Sequence, residues 1–267
     1  MTTGTSQTNG IETAWRMDGP ADGPVVLLSN SLMSNYHMWD LTVPALSDRY
    51  RVLRYDTRGH GRSGSTPGEY NVAQLADDAI ALLDALKIER AHCVGLSLGG
   101  MICQQLGARY PQRVRSLGLC DTACEMTPRS AWEERIQNAR NKGPAALADM
   151  TLQRWFTPAF HQREAAQVAA VRKMITDMQL EGYIGCASAV RDLAQSTMLL
   201  KISAPTLILT GRDDPSTTVE QATVLHRLIP QSELVVLDDA AHLSNIEQPE
   251  AFNRALRGFL DRTEARA

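Results

Sequence analysis

The amino-acid sequence predicts an α/β protein, a mostly parallel sheet with helices on both faces, interrupted once by a helical insertion. Short apolar runs alternate with stretches whose apolar residues recur at helical spacing, the pattern of strand–helix–strand crossovers. One run, Val94-Gly95-Leu96-Ser97-Leu98-Gly99-Gly100, joins a strand to a helix through a glycine-rich turn. From about residue 123 to residue 200 the strand-like runs vanish, and they resume at Pro205.

Val25-Val26-Leu27-Leu28 and Arg51-Val52-Leu53-Arg54-Tyr55 read as strands, each a short apolar stretch closed by turn residues. Val72, Leu75, Ala79, Leu82, Leu83 and Leu86 then share one helical face. His92-Cys93-Val94 enters the glycine-rich turn, residues 101–109 continue as a helix, and residues 114–119 return as a strand. Beyond them, residues 132–136, 145–155 and 165–180 look helical. Strand signals resume at 205–209 and 234–237, and a helix over 249–260 closes the chain. This divides the chain into a core of residues 1–122 and 201–267 and a helical insertion of residues 123–200.

Composition narrows the function classes. The chain has 267 residues, 43% hydrophobic and 21% charged, with a formal net charge of −3. That is an ordinary globular balance, with no basic excess for nucleic acid or an anionic membrane, so a small molecule is the expected partner. No run approaches the roughly 18 apolar residues of a membrane span, and Met1-Thr2-Thr3-Gly4-Thr5-Ser6 lacks a basic region followed by an apolar stretch. The expected compartment is the cytoplasm. Five cysteines without paired CxxC spacing argue against a disulfide framework or a zinc site.

The glycines around Ser97 point to chemistry. A serine at the apex of a tight strand-to-helix turn sits in a strained backbone, where a neighbouring Cβ would clash; Gly95 and Gly99 relieve the crowding. The turn lifts the hydroxyl to a helix N-terminus, whose N–H groups favour developing negative charge. A serine hydroxyl also needs a base, and the base a carboxylate. His242 lies just after the last expected strand and before the final helix. Gly211-Arg212-Asp213-Asp214-Pro215 follows the strand ending near Thr210; Asp214 is the first choice, with Asp213 beside it and Asp121 the structural alternative.

These residues resemble the α/β-hydrolases that carry a helical cap. The order Ser97, Asp214, His242 matches that fold, Asp56-Thr57-Arg58-Gly59-His60-Gly61-Arg62-Ser63 is similar to its DxRGxGxS loop, and Asp214 takes the fourth position of its GxxD motif. The resemblance implies an oxyanion hole from the backbone N–H groups of Leu32 and Leu98, although Ser29-Asn30-Ser31-Leu32 departs from the usual His-Gly dipeptide. That stretch with His37-Met38-Trp39-Asp40, Trp132-Glu133-Glu134-Arg135-Ile136 and Arg154-Trp155-Phe156-Thr157-Pro158 is similar to the 3-oxoadipate enol-lactonases of aromatic catabolism. This likeness implies hydrolysis of an enol-lactone bearing a free carboxylate, through an acyl-enzyme and without metal or cofactor.

A substrate carboxylate calls for a cation away from Ser97, and Arg135 is the first choice among Arg129, Arg135, Arg140 and Arg154. Trp132 and Trp155 are candidate pocket walls. Within the same fold the rivals are a carboxylesterase, a carbon–carbon bond hydrolase and a cofactor-free perhydrolase. Outside enzymes, the rival is a ligand receptor that keeps the fold without its chemistry.

Overall fold

The computed structural model describes residues 1–266. It opens with β1 (Thr2–Thr8) and β2 (Ile11–Asp18), an antiparallel hairpin turned by Asn9 and Gly10, both at positive φ. Asn-Gly is the preferred two-residue hairpin turn. The apolar-run reading assigns no strand here, because β1 is built from Thr, Ser, Gln and Gly and is held by its backbone pairing to β2.

The next strands are β3 (Val25–Ser29), β4 (Arg51–Tyr55), β5 (Ala91–Leu96), β6 (Val114–Cys120), β7 (Thr206–Gly211) and β8 (Ser232–Leu237). Together they form an eight-stranded sheet in the order β1-β2-β4-β3-β5-β6-β7-β8, parallel from β4 to β8 and antiparallel at the β1-β2-β4 edge. Every residue of β3, β5 and β7 is buried. Because alternate residues face opposite sides, both faces of the central sheet are covered, as a parallel sheet requires.

Helix α1 (Val72–Ala85) is capped by Asn71, whose side chain accepts the Gln74 N–H at 2.9 Å. Helix α2 (Leu98–Arg109) starts immediately after β5, earlier than the apolar spacing suggests. Between β6 and β7 run α3 (Arg129–Lys142), α4 (Ala148–Trp155), α5 (Pro158–Arg163), α6 (Ala165–Thr176), α7 (Leu180–Arg191) and α8 (Ser196–Leu199). The expected helix over 145–155 opens as a 3₁₀ turn, Pro144–Leu147, before α4. After β7 come α9 (Val219–Leu228), then β8, α10 (Ser244–Glu247) and α11 (Pro249–Glu264).

The helix expected over 165–180 is α6, which ends at Thr176; after a break at residues 177–179 a further helix, α7, to which the sequence reading assigns no element, begins at Leu180. The break lets α7 turn onto the sheet side of the molecule. There Gly185 O accepts the Tyr70 N–H at 3.1 Å, and a Cβ on Gly182 would fall 2.2 Å from Gly59 O. Only glycine permits that approach. Among the described residues no helix is long and apolar enough to cross a membrane.

Candidate active site

Ser97 links β5 to α2 with φ 56° and ψ −115°, a left-handed conformation that costs an L-residue on the order of 1–3 kcal/mol. The neighbours hold it there. A Cβ on Gly95 would lie 2.1 Å from Gly99 O, and one on Gly99 would lie 2.0 Å from Ser29 O. The Ser97 N–H donates to Cys120 O at 2.9 Å, while Thr122 Oγ1 donates to Ser97 O at 2.7 Å. Leu98 is the first residue of α2, so its N–H has no intrahelical acceptor.

Asp214 and His242 come from the loops after β7 and β8. The buried Asp214 carboxylate lies 2.8 Å from His242 Nδ1 through Oδ2. It also accepts the Thr217 hydroxyl at 2.6 Å and the N–H groups of Ser216 and Thr217 at 2.7 and 3.1 Å. Burial opposes its ionisation, but His242, Thr217 and Ser216 outweigh it and hold the carboxyl below its ordinary value. Asp213 points to solvent. An imidazole whose Nδ1–H is held by a carboxylate presents Nε2 as a proton acceptor.

Asp121, at the end of β6, lies behind this pair. Its carboxylate accepts the Gly211 N–H at 2.8 Å and the Ser244 hydroxyl at 2.5 Å, tying the acid and histidine loops to the sheet. Burial, then the charge of Asp214, pushes its carboxyl well above the ordinary range. The other five histidines are engaged elsewhere: His37 with Asp40, His60 with Met33, His92 with Glu264, His161 with Leu152 O and His226 with Ser232.

Ser97 and His242 line one cavity of about 400 Å³, together with Ser31, Leu32 and Met33 from the loop after β3. His60 sets that loop. Its Nε2 accepts the Met33 N–H at 3.1 Å, its Nδ1 faces Arg58 O at 3.1 Å, and burial lowers its pKa to about 4, so the ring is neutral. Arg58 itself pairs with Asp78, away from the cavity.

The opposite wall carries Trp132, Arg135, Arg154 and Trp155. The Arg135 guanidinium lies over the Trp132 ring at 4.6 Å. Among the described residues Arg135 has no ion-pair partner, and its buried Nε has no hydrogen-bond acceptor. Arg154 donates to Pro215 O and Ser216 Oγ at 2.8 and 3.2 Å, and the Trp155 ring is tilted 32° to that of His242 at 6.2 Å. Met33 and Met101 line the cavity, whereas Met38 lies in the core and accepts the Ser31 N–H. No group of three or more His, Cys, Asp or Glu residues is placed to hold a metal ion among the described residues.

Sequence reasoning missed Thr217, His60, Gln221 and Thr218. Thr217 had a signal, since Asp214-Pro215-Ser216-Thr217 is the kind of stretch in which an aspartate accepts N–H groups two and three residues on. Gln221 and Thr218 reach the cavity only because α9 starts beside it.

Residues 24–249 match the α/β-hydrolase fold family. The chain belongs to that family. Among relatives of this α/β-hydrolase, 3-oxoadipate enol-lactonase 2 of Acinetobacter baylyi is 38% identical over 244 residues, covering 91% of each chain. The enol-lactonase of Burkholderia xenovorans LB400 has a similar solved structure, with TM-score 0.95, 38% identity, and coverage of 97% of this chain and 100% of that one. A malate-bound esterase from Thermogutta terrifontis superposes with TM-score 0.92 at 29% identity, covering 98% and 99%.

Proposed function

We propose that this α/β-hydrolase opens 3-oxoadipate enol-lactone to 3-oxoadipate in aromatic catabolism, with Ser97 as nucleophile, His242 as general base and Asp214 as its orienting acid. The observation that carries this reading is one cavity lined by Ser97, by the Asp214-held His242 and by Arg135, a cation without a carboxylate partner among the described residues. The kinship with enol-lactonases supports the choice of substrate.

In this mechanism Ser97 Oγ attacks the lactone carbonyl as His242 Nε2 takes its proton. The N–H groups of Leu32 and Leu98 hold the oxyanion. The ring C–O bond then breaks, the enol oxygen receives the proton from His242, and the opened chain stays esterified to Ser97. The enol tautomerises to the ketone. Water, deprotonated by His242, attacks the ester carbonyl; the bond to Ser97 Oγ breaks, Ser97 takes the proton back from His242, and the acid product leaves. Arg135 anchors the carboxylate remote from the reacting carbonyl, with Trp132 and Trp155 as apolar walls. Every step uses groups of this chain and water.

Residues 1–122 and 201–267 form the catalytic core in this reading, and residues 123–200 a cap over Ser97. A cytoplasmic location accords with five free, buried cysteines.

The test follows the ultraviolet absorbance of freshly prepared enol-lactone with wild-type protein, with Ser97→Ala and with buffer. Fast loss with wild type alone is the expected result, the serine variant falling by roughly 10⁴-fold or more. Equal decay in all three samples would overturn the lactonase assignment and send the search to simple esters and ring-cleavage products.

A further inference from the structure

The end of α4 is fastened to both loops that carry the proposed acid and base. On the acid side Arg154 donates to Pro215 O and Ser216 Oγ. On the base side the Leu243 N–H donates to Trp155 O at 3.1 Å. A second fastening on that side runs through Glu247, whose side chain is buried at 3% exposure and has no ion-pair partner among the described residues. Its Oε2 accepts the Ala241 N–H at 2.9 Å, next to His242. Its Oε1 accepts the Thr157 N–H at 3.0 Å and the Thr157 hydroxyl at 2.5 Å.

Burying a carboxylate without a cation costs several kcal/mol unless its lone pairs are filled by well-aimed donors. Here three donors fill them, and they arrive from two segments far apart in sequence. A glutamine is no substitute, because both oxygens face N–H groups and an amide offers only one oxygen.

We propose that Glu247 is a positioning residue that locks the His242 loop to the Trp155–Thr157 segment of the cap, so that the base is held in register by the same element that walls the substrate cavity. The inference rests on His242 being the base of the proposed reaction. Glu247 touches no substrate; it acts through Ala241 on His242 and through Thr157 on the Trp155 wall. The cap is therefore fixed to the core at residues 154–157, and any opening of the cavity bends the chain elsewhere.

The test measures the rate at which a small fluorophosphonate labels the protein, as a function of pH, per active site titrated at completion. This readout needs the serine and its base but no lactone. Glu247→Gln turns an amide N–H toward a backbone N–H and pushes the histidine loop from Asp214. Labelling is expected to slow about tenfold or more, with the acid limb moved to lower pH as the ring loses the Asp214 charge. Thr157→Val keeps the backbone donor and loses the hydroxyl, which also caps α5 by accepting the Phe160 N–H at 3.3 Å, so a smaller slowing in the same direction is expected together with a lowered Tm. The double variant should be no slower than Glu247→Gln alone, because both changes cut one connection.

Wild-type rate and acid limb in Glu247→Gln, even with a lowered Tm, would overturn the proposal and leave Glu247 a purely structural group. Should that variant fail to fold, an unaltered labelling rate in Thr157→Val overturns it instead. Wild-type protein that does not label at all would refute the reading of Ser97 and His242 itself, a different outcome from either.

Discussion

At the scale of single residues, the proposed function assigns to Arg135 the task of separating an acidic lactone from a neutral ester. Its guanidinium is pinned over Trp132 and lacks any carboxylate among the described residues, so the site carries a positive charge that a substrate can neutralise. A hydrogen bond to a charged group is worth about 1.5–3 kcal/mol, or roughly 10- to 100-fold in affinity. Arg135→Gln should raise KM for the enol-lactone by that factor while leaving kcat within about threefold. Hydrolysis of p-nitrophenyl acetate, which has no remote carboxylate, should be nearly unchanged. Parallel loss on both substrates would show that Arg135 supports the cavity wall and does not read charge.

At the scale of elements, the β5-to-α2 turn concentrates the strain. Ser97 holds positive φ because Gly95 and Gly99 let three backbone segments meet, and a methyl at Gly99 would lie 2.0 Å from Ser29 O. Overpacking against backbone cannot be relieved by a rotamer change. Gly99→Ala should therefore cost on the order of 3 kcal/mol or more and reduce activity beyond its loss of stability, because the turn itself must move. Urea unfolding together with activity per titrated site checks both halves of that expectation. Such local crowding is legible in sequence, which is why the strand, the turn and the nearness of Asp214 to His242 can be read from glycine spacing and from loops that follow strands. The β1–β2 hairpin is hidden because its outer strand carries no apolar pattern, and the break between α6 and α7 because it answers to Gly59, more than a hundred residues earlier. His60, Glu247 and the bracing role of Asp121, which the sequence offers only as an alternative acid, escape for a related reason. Their partners Met33, Thr157 and Ser244 lie 27, 90 and 123 residues away, and nothing in the local sequence announces those bonds.

At the scale of the whole molecule, buried titratable groups set how the fold responds to acid. His60 has its pKa lowered by burial from 6.5 to about 4, and His92 is shifted the same way, again chiefly by burial. Between those values the unfolded chain binds a proton that the native ring does not, so stability is fully present above about pH 6.5 and is lost as pH falls toward 4. Each such histidine contributes up to about 1.4 kcal/mol per pH unit across that window. Asp121 opposes them. Its raised pKa means the native state holds a proton that the unfolded chain releases, so its contribution grows more favourable as pH falls. Burial raises the Asp56 carboxyl as well, so two aspartates oppose the two histidines. Carboxyls held below their ordinary values, such as Glu69, Asp192 and Asp261, lose stability as pH falls and tip the balance, so Tm should decline from pH 6.5 to 4.5. Gln at position 60 keeps an acceptor for the Met33 N–H and a donor for Arg58 O but does not titrate. His60→Gln should thus flatten that decline by roughly half of its histidine-linked part, the remainder belonging to His92. Calorimetric Tm measured at half-unit steps of pH for both proteins decides the matter: parallel curves would mean that His60 is protonated in the folded protein and that another interaction keeps the Leu32–Met33 loop in place.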